Sequence, residues 1–151
     1  MAKQNLFKMK TNRSHCPLTN ILDIIGDKWS LIIVRDLFLE KKTFTEFMKS
    51  SEKIASNILA NRLELLINHG LLEVTKLPND NKTKIYHLTN KGIDLYPIMF
   101  EMMCWSKRNL DKGFGPIGEE FFKDIQGISS EQFIKNTQST YVKYRDHILS
   151  V

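Results

Sequence analysis

Residues 54–89 read IASNILANRLELLINHGLLEVTKLPNDNKTKIYHLT, and this stretch decides the fold. Ile58, Leu59, Leu63, Leu66 and Ile67 recur at spacings of three and four, which draws one apolar stripe along a helix. Ser56, Asn57, Ala60, Asn61 and Glu64 fall on the opposite face, short or hydrogen-bonding side chains with little reason to enter a core. Gly70 ends the helix, because glycine takes the left-handed conformation of a helix terminus at little cost. Leu71 to Lys76 and Lys84 to Leu88 then read as two short strands, joined by the turn-rich loop Pro78 to Lys82. A polar-faced helix followed directly by a basic-tipped hairpin predicts a winged helix, an arrangement suited to meeting DNA.

Upstream, Thr43 opens a short helix, Phe44 to Lys49, with Phe44, Phe47 and Met48 inward, and Ser50 to Lys53 forms the turn before Ile54. The result is helix, turn, helix, a geometry in which the second helix enters the major groove and its early residues reach base edges. Before it, Gly26-Asp27 breaks the chain and offers Asp27 as cap for a helix Lys28 to Leu39. Leu31, Ile32, Ile33, Val34, Leu37 and Phe38 make that helix apolar over much of its circumference, so it belongs at the centre of the core. Trp29 reads as a packing anchor, and Lys28 in the first turn as a candidate phosphate contact. A short helix Thr19 to Ile25 precedes it, with Cys16-Pro17 at its start.

The 151 residues, 42% of them hydrophobic, suffice for one compact domain with an appendage. The predicted class is mainly α with a small β-hairpin (α+β), a winged helix-turn-helix followed by further helices. Of 22 basic and 17 acidic residues, 17 basic and 11 acidic fall in residues 1–110, leaving 5 and 6 in residues 111–151. The positive charge therefore lies with the hairpin, which suits a polyanion. No run of about 18 apolar residues is present to span a membrane, and MAKQNLFKMK lacks the apolar core of a signal peptide, so the expected location is the cytoplasm. Cys16 and Cys104 are too few for a disulfide framework and have no metal-site spacing, so neither a metal nor a cofactor is expected. Residues 1–15 carry Lys3, Lys8, Lys10 and Arg13 without an acid and read as a flexible basic arm.

Taken together, Cys16-Pro17, Ile24-Ile25-Gly26-Asp27-Lys28-Trp29, Ile33 to Leu37, Phe44 to Phe47, Leu59-Ala60-Asn61-Arg62-Leu63, Gly70-Leu71-Leu72 and Tyr86-His87-Leu88-Thr89-Asn90-Lys91-Gly92 resemble the HxlR-type winged helix-turn-helix transcription regulators. The resemblance runs in order from residue 16 to about 110. It implies a bacterial, dimeric, DNA-binding regulator of neighbouring genes, with no chemistry on a substrate. It also implies, for several members, a response to electrophiles or oxidants through the cysteine of the CP motif, here Cys16. Ala60 stands where a threonine is frequent, and the wing PNDNKTK replaces a more proline-rich one, so the sequence that is read is expected to be particular to this chain.

Ser56, Asn57 and Asn61 are the candidate base readers, since asparagine donates and accepts together to adenine and serine reaches base edges or phosphate. Lys28, Lys53, Lys82 and Lys84 are candidate phosphate contacts, and Arg62 either contacts phosphate or pairs with an acid such as Glu46 or Asp36. Cys16 is the candidate redox sensor, with Arg13 and His15 nearby to favour its thiolate. Cys104 reads as packing or as a resolving partner. Two other readings stay open: a cysteine-dependent enzyme with His15, His69 or His87 as base, and a winged protein-interaction or ligand-sensing module.

From Ile93 to about Leu110 one helix carries more apolar side chains than a single face needs, with Leu95, Met99, Met102, Met103 and Trp105 as candidate dimerisation residues. A homodimer on a palindromic operator would set two groove helices about 34 Å apart. Helices Ile117 to Ile125 and Ser130 to Leu149 follow, the second with Ser129 and Gln132 in capping-box spacing. This extension exceeds the usual family length. It is expected to pack on the preceding helix and enlarge the interface, and room is left for a small-molecule inducer. The expected organisation is an arm, 1–15; a winged DNA-binding domain, 16–92; and a helical dimerisation region, 93–151.

Overall fold

The computed structural model describes residues 13–150, so Lys3, Lys8 and Lys10 of the predicted arm lie outside the described residues. The element order is α1 (Pro17–Ile25), α2 (Ser30–Phe38), α3 (Phe44–Met48), α4 (Ser56–Asn68), β1 (Leu72–Leu77), β2 (Asp80–Leu88), α5 (Asn90–Ile93), α6 (Tyr96–Asn109), α7 (Gly115–Asp124) and α8 (Ser130–Leu149). It is the mainly helical winged fold with one hairpin that the pattern predicts. The chain divides into two compact units, Met1–Gly92 and Ile93–Val151.

In the first unit, Ile33, Val34 and Leu37 of α2, Phe47 of α3, Leu59, Leu63 and Leu66 of α4, and Leu72, Ile85 and Leu88 of the hairpin are all buried. The stripe on α4 is thus narrower than predicted: Ile58 and Ile67 at its edges are only half-buried. Helix α2 begins at Ser30, two residues later than its predicted start at Lys28. The Asp27 carboxylate accepts the N–H groups of Trp29 and Ser30, each at 2.9 Å, and so holds this stretch as a turn before the helix takes over.

β1 and β2 pair antiparallel from Leu72↔Leu88 to Lys76↔Lys84, after which the register shifts so that Leu77 faces Asp80. The predicted five-residue loop is therefore a two-residue tip, Pro78-Asn79, followed by a bulge. Asp80 organises it, its Oδ1 accepting the N–H groups of Lys82 and Thr83 and its Oδ2 the Thr83 hydroxyl.

Gly70 has φ +73°, the left-handed terminus expected of it. A Cβ on Gly92 would stand 2.1 Å from the Leu71 carbonyl oxygen, so only glycine lets α5 start this close to the chain leaving α4. Thr89 ties the same junction, its hydroxyl donating to the Gly70 carbonyl at 2.6 Å and accepting the Gly92 N–H at 3.1 Å. These contacts give the run from Tyr86 to Gly92 its structural meaning.

The second unit holds α6, α7 and α8. The single long helix expected from Ile93 is broken into α5 and α6, with Pro97 at the first turn of α6 where a missing N–H costs nothing. Phe100 of α6, Phe121 of α7 and Phe133 of α8 meet pairwise, with ring centroids 5.7 to 5.9 Å apart. Through these rings the extension packs on α6, and Gln138 of α8 also donates to the carbonyl of Ile93 in α5 at 3.2 Å. Ser129 caps α8 by accepting the Gln132 N–H at 3.1 Å, whereas the Gln132 side chain donates to Asn136 rather than returning to the cap.

Candidate nucleic-acid interface

Burial of Leu59, Leu63 and Leu66 fixes the rotation of α4 about its axis, and that rotation leaves Asn57, Ala60, Asn61 and Glu64 exposed; Ser56, in line with the buried leucines, is exposed because it is the first residue of the helix. Asn57 and Asn61, one turn apart, thus share one solvent face, with Ser56 exposed at the helix start. Ala55 precedes the helix and supplies no side-chain cap, so the first-turn N–H groups keep no side-chain acceptor at that position. On the hairpin, Lys82 within the bulge and Lys84 beyond it are both exposed. Lys28 is exposed as well, its ammonium 5.1 Å from the centroid of the Trp29 ring.

The turn before α4 is held by charges that sequence reasoning missed. Asp36 on α2 is 2% exposed, and its carboxylate accepts from Arg35 Nε at 3.0 Å, Arg35 Nη2 at 2.8 Å, Lys41 Nζ at 3.2 Å and the Ser50 hydroxyl. Arg35 also donates through Nη1 and Nη2 to Glu52 at 2.5 and 2.9 Å. The guanidinium pulls the Glu52 carboxyl down to about 2, against the opposing effect of partial burial. One cation thereby clips α2 to the turn from which the groove helix departs. The available signal was the pair Arg35-Asp36 inside an otherwise apolar helix, where a buried acid demands partners. Lys53, in the same turn, is exposed and sits at φ 57°, a conformation that side chains other than glycine and asparagine seldom adopt.

Arg62 finds a different acid from either expected one: its Nε lies 3.6 Å from Asp27 Oδ2, and no hydrogen bond completes the pair. Asp36 is already filled by Arg35, Lys41 and Ser50, and Glu46 accepts the Lys42 N–H at 2.8 Å. Asp27 is partly buried, which opposes ionisation. The Ser30 hydroxyl, the N–H groups of Trp29 and Ser30, and Arg62 outweigh that and hold it below the ordinary carboxylate range. Arg62 therefore braces α4 against the start of α2 with its head only part-exposed.

Cys16 is exposed at the N-terminal end of α1, and its thiol is pushed below its ordinary value by the N–H groups of Thr19 and Leu18 and by the Thr19 hydroxyl. The expected source of this effect was Arg13 and His15. Arg13 is instead paired with Asp23 at 2.7 Å, so the helix start supplies the effect. Burial pushes the Cys104 thiol up, and the Glu101 carboxylate adds to it. His87 is 2% exposed, with Nε2 3.1 Å from the Thr75 hydroxyl and 3.9 Å from Glu73 across the hairpin. It belongs to the hairpin's interior.

The predicted dimerisation residues separate into two groups. Leu95 and Met99 are 5% and 6% exposed and belong to the chain's own core, and Met103 is half-buried. Met102 and Trp105 are each 53% exposed and, with Ile98 at 42%, form an uncovered stripe along α6 at spacings of four and three. Among the described residues no group of three or more histidine, cysteine or acidic side chains converges as a metal site, and no helix is long and apolar enough to cross a membrane.

A helix-turn-helix with an exposed polar groove helix and a lysine-bearing wing defines the class of DNA-binding winged-helix transcription regulators. Within that class, residues 24–114 match the HxlR-like helix-turn-helix family, and the chain belongs to it. The HTH-type transcriptional regulator YdeP of Bacillus subtilis is 33% identical over 97 residues, 64% of this chain and 76% of YdeP. The reduced form of the transcriptional regulator YodB from B. subtilis superposes with a TM-score of 0.55 at 27% identity, over 67% of this chain and 100% of that one. The redox regulator HypR in its oxidised form does so with a TM-score of 0.54 at 31% identity, over 64% and 100%. The family match ends at residue 114, before α7 and α8.

Proposed function

We propose that this regulator acts in the cytoplasm as a homodimer on a two-fold symmetric operator, and that the chemical state of the Cys16 thiol sets its affinity. The observation that carries the DNA reading is the shared exposure of Ser56, Asn57 and Asn61 on α4 beside Lys82 and Lys84 on the wing. The asparagines and Ser56 read base edges, and Lys28, Lys53, Lys82, Lys84 and, more weakly, the braced Arg62 hold phosphates. In this reading residues 16–92 are the DNA-binding domain and 93–151 the dimerisation region, with Arg13 and the residues before it as a basic arm. The exposed stripe Ile98, Met102 and Trp105 supports α6 as the surface that a second copy covers. Leu95 and Met99 act from beneath, as the packing that presents this stripe.

Cys16 supports the switch because it is exposed, on the winged unit itself, and favoured as thiolate. Its sulfur adds to an electrophilic carbon or, with diamide, to an azo nitrogen, forming a C–S or an S–N bond, and the electron pair displaced onto the electrophile takes a proton from water. YodB and HypR, regulators solved in reduced and oxidised forms, favour this reading over an effector acting elsewhere.

The test is fluorescence anisotropy with DNA from upstream of the protein's own gene, titrated with salt, for the reduced protein, the diamide-treated protein and Cys16→Ser. Tight, salt-dependent binding that diamide alters only when Cys16 is present is the expected result. Binding indifferent to diamide removes the thiol switch, and absence of salt-dependent binding removes the DNA reading. Sedimentation of Met102→Lys and Trp105→Ser should show monomers where the parent is a dimer; unchanged dimers would place the interface elsewhere.

A further inference from the structure

The winged unit contains a groove of about 660 Å³ between α4, the start of α3 and the inner face of the hairpin. Its size falls within the usual range for small-molecule sites, roughly 300 to 1,000 Å³. Its floor is apolar. Val74 and Tyr86 are directly paired across the strands, so their side chains emerge on one face of the hairpin, and that face meets Phe44, Leu63 and Ile67. Val74 is 42% exposed, an uncovered apolar side chain two residues along the same face of β1 from the buried Leu72. Ala60 lines the opposite wall with a single methyl group, so the groove stays open where a longer side chain would fill it.

The rim is charged and unbalanced. Lys82 in the bulge and Lys84 on β2 line the same groove as Tyr86, against the one carboxylate of Glu64. Among the described residues neither lysine makes an ion pair with an acid. A planar or branched apolar body over Val74 and Tyr86 with one anionic group between the lysines satisfies both features. A cation would meet two lysines, and a fully polar ligand would leave the apolar floor uncovered.

We infer that this groove binds an aromatic carboxylate, and that occupancy competes with DNA because the ligand and the phosphate backbone draw on the same two lysines. The competition rests on the DNA-binding reading above; the groove itself does not. It gives the regulator a reversible input separate from the Cys16 thiol.

The experiment is a titration of the full chain with naphthoate, and with the neutral naphthalenemethanol, followed by methyl and aromatic NMR. The Val74 methyl and Tyr86 ring signals should shift with the acid and bind the alcohol at least tenfold more weakly. Val74→Trp, which fills the groove from an exposed position, should abolish the shifts while leaving DNA affinity unchanged. Lys84→Gln should erase the preference for acid over alcohol. With naphthoate at ten times its own Kd, the apparent Kd for DNA should rise about elevenfold by mass action.

Shifts absent from Val74 and Tyr86, or persisting in Val74→Trp, overturn the site. Equal binding of acid and alcohol overturns the ligand class. Binding at the groove with DNA affinity unchanged overturns the competition. Binding at the groove by a protein without salt-dependent DNA affinity upholds the site and removes the regulator reading alone.

Discussion

The clip between α2 and the turn before α4 makes a prediction in which sign, size and pH window are all set by the structure. Glu52→Gln keeps the side chain's shape and removes its charge, so it breaks the ion pair with Arg35 while leaving Asp36 served by Arg35, Lys41 and Ser50. The folded protein lowers the Glu52 carboxyl from 4.5 to about 2. A depression of that size corresponds to about 3 kcal/mol at face value. The side chain is 34% exposed, however, and screening by water takes the expected loss down to about 1 kcal/mol. A depressed carboxyl contributes above its unfolded value and loses its contribution as pH falls towards its folded one. The parent protein should therefore exceed Glu52→Gln by a constant margin from pH 7 to about 5, and the margin should shrink below 4.5 as the unfolded glutamate begins to bind protons. Urea unfolding followed by tryptophan fluorescence measures both proteins across that range. A margin that is flat from pH 7 to pH 3 would show that the pair with Arg35 is not what the substitution removed, and the charge clip would fall with it.

Asn57→Ala and Asn61→Ala should each relax base preference at one operator position by about 1 to 3 kcal/mol, read by competition with single-base operator variants; unchanged preference removes that residue from the readout. Lys82→Ala should weaken all DNA sequences about equally and lower the slope of log affinity against log salt by about one, whereas a loss confined to one sequence would mean base contact. Alkylation by iodoacetamide should reach half its maximal rate at lower pH for Cys16 than for Cys104, because the helix start favours one thiolate and burial opposes the other; the reverse order in a mass-spectrometric time course would contradict both assignments.

What could be read in advance was whatever depends on the near neighbours of a residue in the chain. The three-and-four spacing of Leu59, Leu63 and Leu66 sets which face of α4 is buried, and so which asparagines are exposed; tertiary packing leaves that phase unchanged. Gly70 behaves as expected because a left-handed helix terminus is a one-residue property. The hairpin tip was harder, since Asp80 rather than the proline-asparagine pair organises it, through a carboxylate that gathers two N–H groups and a hydroxyl. The pairing of Arg62 with Asp27 joins residues 35 positions apart and follows only from how α2 and α4 cross. The division of the predicted dimerisation set is of the same kind: periodicity gathers Leu95, Met99 and Met102 on one helix, but only the packing of α7 and α8 decides which of them is covered.

The groove helix is therefore seated by two different physical means. Its inner face is fixed by leucines whose burial is non-directional, and by itself would tolerate small rotations. The turn that leads into it is fixed by the directional hydrogen bonds of Arg35 to Glu52 and Asp36, and Arg62 within the helix adds a non-directional charge attraction to Asp27. Lys53 completes the turn in a left-handed conformation that costs on the order of 1 kcal/mol, a cost retained only where the surrounding structure over-determines the backbone. The proposed reading of bases by Asn57 and Asn61 would demand that both be held within a fraction of an ångström of their partners. A purely apolar seat does not provide that, and the Arg35 hydrogen bonds at the turn add the direction it lacks.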